Sequence, residues 1–338
     1  NLQRTERLVE LGEQVAAQIG DERTAEHVRR AAHLCKADLL SGLVGEFPDL
    51  QGVVGRELAL QEGEPEEVAT AIREHYLAAG AEDALPSSLE GAALALADKM
   101  DVIVGCFSLG LLPGGSRDPY ALRRSALGIL LIIEERGLEL RLGGLIEMAR
   151  RVAARQGIEC GDKCADLIRD FFRDRLYRAA LERGLPHDFV RAVQAAGCDD
   201  VRGFWGRLAA LEECSNREWW PQLVELVDRT FRIQRDVESI PPVRDDLLRE
   251  PLEKELAAQF ERCRGPVGRL LDAGRYVQAA EQYCDALAGP VHEFFEQVFV
   301  NVEDEQVRLN RKSLCGHVYR LFAERFADLY LIETTGSS

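Results

Sequence analysis

The stretch Leu89–Phe107 (LEGAALALADKMDVIVGCF) decides the fold class of this chain. Its apolar side chains recur every three or four positions, at Leu89, Ala93, Leu96, Met100, Val104 and Phe107. That spacing places side chains on one face of an α-helix, here over about five turns. The stretch therefore predicts a long helix packed into a core.

The same periodicity recurs earlier in the chain. It is found at Leu8, Leu11, Val15 and Ile19, and again at Val68, Ile72 and Tyr76. Alternating patterns bounded by Asn-Gly or Asp-Gly turns, which would predict β-hairpins, are absent. Only Val298–Val302 (VFVNV) looks β-like, and its spacing also fits the end of a helix. We therefore predict an all-α protein.

Two stretches interrupt the helical pattern. Leu111–Pro119 (LLPGGSRDP) and Glu238–Asp246 (ESIPPVRDD) are rich in residues that end helices, and Gly143–Gly144 is a weaker break. A chain of 338 residues is long enough for roughly two domains. We predict a helical domain over residues 1–145 and a second over residues 146–335.

Composition excludes several classes of protein. Lys and Arg number 42 against 58 Asp and Glu, so the formal charge of −16 excludes nucleic-acid binding by bulk charge but permits local basic patches. The longest apolar run, Ala126–Ile133, is much shorter than the roughly 20 residues of a membrane helix. Nine dispersed cysteines argue against a secreted disulfide framework. Cys160 and Cys164 could be a metal pair or free thiols.

A divalent-metal phosphohydrolase of the HD type is the first candidate function. Its site needs an early His, an adjacent His-Asp pair and a late Asp. The helix Ala31–Leu43 resembles the one that carries the pair, but here the dipeptide reads Ala37–Asp38, and His33 lies one turn earlier. Leu96–Asp101 (LADKMD) resembles the late segment. Asp38 and Asp101 are then either remnants of a degenerate site in a scaffold or part of a divergent metal enzyme.

The loop after residue 112 is a candidate phosphate site. Gly114, Gly115 and Ser116 expose backbone N–H groups, Arg117, Arg123 and Arg124 add positive charge, and a helix begins after Pro119. No Gly-Lys-Ser/Thr sequence ends this loop, so it is not a nucleotide-binding P-loop. Asp118 and Pro119 equally fit an ordinary helix cap.

A third candidate lies near the end of the chain, in Asn301–Lys312 (NVEDEQVRLNRK). Arg308, Arg311 and Lys312 fall on neighbouring turns of a predicted helix, with Asn310 between them. Guanidinium and amide groups read exposed RNA bases and phosphates. A solvated helix with an acidic first turn explains the same sequence equally well.

Four long segments resemble the bacterial-type glycyl-tRNA synthetase β subunit. They are Lys36–Gly55 (KADLLSGLVGEFPDLQGVVG), Leu85–Phe107, Gly114–Ile133 (GGSRDPYALRRSALGILLII) and His292–Lys312 (HEFFEQVFVNVEDEQVRLNRK), in the family's order. In that family an α subunit carries the class II aminoacylation site, and the β subunit recognises tRNA(Gly). The resemblance implies that this chain corresponds to the C-terminal half of the β subunit.

The resemblance also implies roles for the two domains. The first would be an HD-type domain with a degenerate site, and the second an anticodon-binding bundle of the arginyl-tRNA synthetase type. The chain would bind tRNA(Gly) and the α subunit, catalyse nothing by itself and hold no metal or cofactor, with ATP and Mg at the α subunit. A cytoplasmic location is implied, or a plastid or other organelle for a fused eukaryotic form.

Site residues follow from the same resemblance. The backbone of tRNA would be contacted by Gly114, Gly115, Ser116, Arg117, Arg123 and Arg124, and the anticodon region by Asn301, Arg308, Asn310, Arg311, Lys312, Arg232 and Arg235. One departure concerns the last two residues. Where the family usually has Lys-Arg-Val-x-Asn-Ile, this chain has Phe231–Asp236 (FRIQRD), which keeps part of the charge and lacks the Asn. The rival functions are a divergent HD-type phosphohydrolase and a scaffold that docks only the α subunit.

Overall fold

A computed structural model describes residues 2–78, 80, 83–114 and 118–332 of the chain. The described ranges are helical with connecting turns and contain no β-sheet, which confirms the all-α prediction. They form two compact units. Unit 1 comprises the residues up to Arg178 together with Asp199–Arg202, and unit 2 comprises Ala179–Cys198 together with the residues from Gly203 onward.

Unit 1 is built from the helices of the first half of the chain. They are α1 (Leu2–Ile19), α2 (Glu22–Leu34), α3 (Gly42–Glu46), α4 (Val53–Gln61), α5 (Glu66–Glu74), α6 (Leu89–Ser108), α7 (Leu122–Glu135), α8 (Leu142–Ala154) and α9 (Asp162–Glu182), whose last turn passes into unit 2. Short 3-10 helices at Asp38–Leu40 and Pro48–Leu50 flank α3.

Helix α6 forms the centre of unit 1. It is the helix predicted from the Leu89–Phe107 periodicity, and it packs against α1, α2, α5, α7 and α8. Its N-terminus is capped by the Ser88 hydroxyl, which accepts a hydrogen bond of 2.9 Å from the Gly91 N–H. Apolar side chains cover almost its whole circumference, because neighbours enclose it on all sides.

The buried Glu74, at the end of α5, fixes the beginning of α6. Its carboxylate accepts hydrogen bonds from the backbone N–H groups of Ser87 and Ser88, at 2.9 and 3.0 Å, and from both serine hydroxyls. Burial acts to raise the pKa of Glu74, but these hydrogen bonds outweigh it and hold the pKa below its usual value. A carboxylate from one helix therefore anchors the first turn of the next.

Unit 2 packs four long helices against each other. Its helices are α10 (His187–Ala195), α11 (Val201–Ser215), α12 (Trp220–Gln234), α13 (Pro251–Asp272), α14 (Tyr276–Gln297) and α15 (Glu305–Ala323), with 3-10 turns at Asp245–Leu247 and Leu329–Leu331. Helices α12 and α13 each pack against α14 and α15. In the core, the Tyr283 hydroxyl donates to the Val318 carbonyl at 2.9 Å and its ring stacks on Phe322.

The structure resolves two local uncertainties. Val298–Val302 is no strand: α14 ends at Gln297, Val298 is its C-cap, and the chain bends after it. The Gly143–Gly144 pair lies in the first turn of α8 and is not a break. The Asp199 carboxylate accepts the Gly143 N–H at 2.5 Å and approaches so closely that a Cβ at this position would meet it. The division between the units falls in α9, whereas the predicted one at residue 145 falls in α8. The HD-like and anticodon-binding assignments stay predictions.

Within the described ranges, no helix combines the length and the apolar character that crossing a bilayer requires.

Candidate functional site

Asp38, a predicted remnant of the HD site, stabilises a turn. It is buried at the start of the 3-10 helix Asp38–Leu40, and its Oδ2 accepts the Gly52 N–H at 2.7 Å. Gly52 has a φ of +77°, and a Cβ there would lie 2.7 Å from the ring of Tyr76. Asp38 thus holds a glycine-dependent turn at the start of α4. Its Oδ1 is buried and has no hydrogen-bond partner among the described residues.

Asp101, the predicted late aspartate, pairs with an arginine of α1. Arg7 donates to both of its oxygens, through Nε at 2.6 Å and Nη2 at 3.0 Å. Asp98, one turn earlier on α6, contacts Lys36 and Arg4. Its Oδ2 accepts from Lys36 at 3.3 Å and its Oδ1 from Arg4 at 2.8 Å.

His75 also contacts Lys36, and it was not among the site residues predicted from the sequence. Its Nε2 lies 2.7 Å from Lys36 Nζ, and its Nδ1 lies 2.6 Å from the Ile72 carbonyl. No local motif marks His75, because it follows an ordinary amphipathic helix and reaches Asp98 only through packing of α5 on α6. We call Arg4, Lys36, His75, Tyr76 and Asp98 the Lys36 cluster.

The residues present do not fit a catalytic metal centre. In the portion of the chain that the structure describes, no three His, Cys, Asp or Glu side chains are arranged to hold a metal ion. Cys160 and Cys164 are both free, with their sulfurs 2.8 Å apart. A two-metal hydrolase needs several such ligands around one point. The phosphohydrolase alternative therefore finds no support in the described geometry.

The loop predicted to bind phosphate lies only partly in the described residues. Gly115, Ser116 and Arg117 lie outside them, whereas Gly114 and Arg124 are exposed and Arg123 is partly exposed. Helix α7 begins at Leu122, and the Asp118 carboxylate accepts the N–H groups of Leu122 and Arg123 at 2.8 and 2.9 Å. The helix cap by Asp118, one of the two alternatives that the sequence left open, is therefore present, and its carboxylate occupies the helix N-terminus. Phosphate binding by the loop itself stays a prediction.

Asn310 is a structural residue rather than an exposed reader of RNA. It is buried on α15, where its side-chain oxygen accepts the Arg244 N–H at 2.7 Å and its amide donates to the Arg244 carbonyl at 3.0 Å. This two-way bond holds the segment before α13, which the sequence identified as a break. The predicted base contact is corrected, since both ends of the amide are used internally.

Arg311 is buried as well, with only 5% of its surface exposed. Its Nε donates to Glu253 at 2.6 Å, and its Nη1 donates to the Phe299 carbonyl at 2.7 Å. Glu253 is fully buried and also accepts the Arg249 N–H at 2.9 Å, at the start of α13. We call Arg249, Glu253, Phe299 and Arg311 the Arg311 cluster. Arg311 therefore serves the fold, which corrects its predicted contact with the anticodon.

Lys312 is the third of these residues to be directed inward. Its Nζ donates to the Asp236 carboxylate at 2.8 and 2.5 Å, and its side chain is largely buried. The hydrogen bond from Lys312 holds the pKa of Asp236 below its usual value. Lys312 thus joins α15 to the end of α12, so its predicted RNA contact is also corrected.

Four side chains remain available at the turn between α14 and α15. Phe299 is 73% exposed, Asn301 and Leu309 are exposed, and Arg308 is partly exposed with its Nη1 donating to the Val302 carbonyl at 2.9 Å. We call them the Phe299 turn. Phe299 was not among the predicted site residues, although it lies two positions before Asn301, which was. On α12, Arg232 is exposed and paired with Asp228 at 2.7 Å, and Arg235 is exposed.

Comparison with known proteins gives a family match over the first part of the chain. Residues 1–195 match the model of the family described as glycyl-tRNA synthetase beta subunit. Curated relatives named glycine–tRNA ligase beta subunit extend the similarity further along the chain.

Three of these relatives show the range of identity and coverage. A protein of Citrifermentans bemidjiense is 41% identical over 320 residues, which is 95% of this chain and 46% of the relative. One of Geobacter sulfurreducens is 44% identical over 81% of this chain and 39% of the relative. One of Chromohalobacter salexigens is 37% identical over 95% of this chain and 46% of the relative. The chain thus spans about half the length of the relatives that it matches.

Proposed function

Because this chain belongs to the glycyl-tRNA synthetase β subunit family, we propose that it is the part of a β subunit that recognises tRNA(Gly). It would support ATP-dependent glycylation at an active site on the α subunit and catalyse nothing by itself. ATP and Mg would bind that partner and not this chain. Its place as the C-terminal half of the β subunit is part of the same proposal.

The observation that carries the proposal is the Phe299 turn. An exposed aromatic ring beside an amide and a guanidinium is the combination that binds unpaired RNA bases, through stacking and hydrogen bonds. Phe299 is 73% exposed, so its ring is accessible to an unpaired base. Arg311 fixes the backbone at Phe299, because its guanidinium donates a hydrogen bond to the Phe299 carbonyl.

The net charge of −16 does not oppose this proposal. Phosphate contacts depend on local positive potential. In unit 2 its source would be Arg235 together with Arg308 and Arg232, which pair with Glu305 and Asp228. Repulsion from the remaining surface would weaken nonspecific binding and so favour the cognate RNA. Selective recognition by a few arginines and one ring is then compatible with an acidic protein.

The test measures the affinity of this chain for tRNA(Gly) and for the same tRNA with an altered anticodon, at two salt concentrations. We expect selective, salt-sensitive binding by the parent chain. Phe299→Ala should weaken binding of tRNA(Gly) by about 1–3 kcal/mol, the value of one base–aromatic stack. Its thermal unfolding should not change, because the ring contributes little to the core.

Phe47 provides the matched control, since it is an exposed phenylalanine of unit 1, 54% exposed. Phe47→Ala should bind tRNA(Gly) like the parent. Equal binding by Phe299→Ala and the parent would remove the Phe299 turn from the proposal. Binding to neither tRNA, with retained binding to the α subunit, would favour the scaffold function instead.

A further inference from the structure

Two thiols lie side by side where α9 begins in unit 1. Cys160 precedes the helix and is only 6% exposed, whereas Cys164 lies in the first turn of the helix and is partly exposed. Their sulfurs are 2.8 Å apart, and both cysteines are free. The bond of a disulfide measures about 2.05 Å, so the two sulfurs need to approach each other by less than about 1 Å to be joined.

The backbone on both sides of the pair is held by hydrogen bonds. The Arg150 guanidinium of α8 donates through Nε to the Cys160 carbonyl at 2.7 Å. The Gly161 carbonyl accepts the Ala165 N–H at 3.0 Å, as the residue just before a helix does. Cys160 therefore lies outside the helix and Cys164 inside it, and the two side chains meet across the helix start. This arrangement brings the thiols together while both are reduced.

The two thiols differ in how readily they react. Burial and the neighbouring Cys164 thiol raise the pKa of Cys160 to about 11. Such a thiol is protonated at neutral pH, and the thiolate is the form that attacks a disulfide. Cys164 is the more exposed of the two, so a disulfide in solution reaches it first. An exchange reaction should therefore begin at Cys164.

We propose that Cys160 and Cys164 form a reversible disulfide by exchange with a low-molecular-weight disulfide such as glutathione disulfide. The Cys164 thiolate attacks one glutathione sulfur, the bond between the two glutathiones breaks, and the first glutathione leaves. Cys160 then loses its proton to solvent and attacks the Cys164 sulfur, which releases the second glutathione. Two cysteine thiols are oxidised to one disulfide, and glutathione disulfide is reduced to two glutathione thiols, which take up two protons.

The test treats the reduced chain with glutathione disulfide, alkylates the remaining thiols and maps the cysteines by mass spectrometry after trypsin digestion. Cleavage after Lys163 separates the two cysteines, so their disulfide should join the peptides Gln156–Lys163 and Cys164–Arg169. We expect these linked peptides as the main disulfide product, and their separation after dithiothreitol. Recovery of both peptides in the alkylated form would overturn the proposal, and so would a product dominated by any other cysteine pair.

Three variants test the order of the exchange. Cys160→Ser should stop at the mixed disulfide and carry one glutathione on Cys164, whereas Cys164→Ser should keep Cys160 reduced because that thiol is buried. Cys106→Ser is the matched control, since Cys106 is a partly exposed cysteine in the last turn of α6, and it should yield the linked peptides like the parent. Stable glutathione on Cys164 of the parent, without linkage to Cys160, would refute the proposal.

Discussion

The Lys36 cluster in unit 1 and the Arg311 cluster in unit 2 both bury a positive charge, but they use it differently. The Lys36 ammonium satisfies side chains that are themselves buried, so its effect ends inside unit 1. The Arg311 guanidinium pairs with buried Glu253 on one side and holds the backbone of an exposed phenylalanine on the other. A buried arginine can thus shape a surface that it never reaches.

The comparison also separates two reasons why a polar residue occurs in a core. A charge such as Lys36 can satisfy polar side chains within the core, and its value is then confined to stability. A charge such as Arg311 can support a surface turn, and its loss then affects binding as well. The two roles are distinguished by substitutions whose effects on stability and on tRNA binding are measured separately.

The largest effect is expected from Glu253→Ala, which breaks the Arg311 cluster. It leaves the Arg311 guanidinium buried without its carboxylate, and we expect a loss of about 3–5 kcal/mol in the free energy of unfolding. Denaturant unfolding measures the loss. Affinity for tRNA(Gly) should fall as well, because the Phe299 carbonyl loses its fixed partner. Unchanged stability would show that Arg311 is compensated in another way.

A pH titration tests the Lys36 cluster. His75 has a folded pKa of about 3, below the unfolded value of 6.5, so the stability that it contributes is present above pH 6.5 and is lost as pH falls toward 3. The free energy of unfolding should drop by up to about 1.4 kcal/mol per pH unit between pH 6 and 4.5. The lowered pKa values of Asp98 and Glu74 act at lower pH.

His75→Gln is the control for that titration. It removes the titrating ring, so the slope between pH 6 and 4.5 should decrease by about one proton relative to the parent. Equal slopes in the variant and the parent would contradict a neutral, buried His75.

The smallest change in stability is expected from Arg308→Ala. The side chain is partly exposed and pairs with Glu305 at 3.5 Å, a surface ion pair of little value. We expect less than about 0.5 kcal/mol in unfolding free energy. If Arg308 contacts a phosphate, affinity for tRNA(Gly) should fall and its logarithmic salt slope should decrease by about one. An unchanged slope would leave Arg308 with only its local role at the Val302 carbonyl.

Much of the fold could be predicted from the sequence, because helical periodicity is a local property. Leu89–Phe107 became α6, and Glu238–Asp246 lies in the connection between α12 and α13. Asn310, Arg311 and Lys312 show why the candidate site could not be predicted in the same way. Their spacing on one stretch of helix indicates that they are neighbours. It does not indicate that Lys312 binds Asp236, just after α12, or that Arg311 binds Glu253 of α13.

His75 and Asp98 show the same limit of sequence-based prediction, because they were not predicted as site residues. Each occurs in an ordinary helical context, and only the packing of α5 on α6 brings them to Lys36. Asp101, predicted as the late aspartate, contacts Arg7, whereas Asp98, one helical turn earlier, contacts Arg4 and Lys36. Residues on neighbouring turns of a helix can face different partners, and spacing alone does not identify those partners.

The anchoring of Ser87 and Ser88 by Glu74 has a consequence for the order of folding. Ser88 caps α6 from its own flanking position, but Ser88 and Ser87 in turn donate four hydrogen bonds to a carboxylate of α5. The first turn of α6 is therefore complete only after α5 has docked. Helices α5 and α6 should then open and close as one cooperative unit, and their amide protons should exchange with solvent together rather than helix by helix.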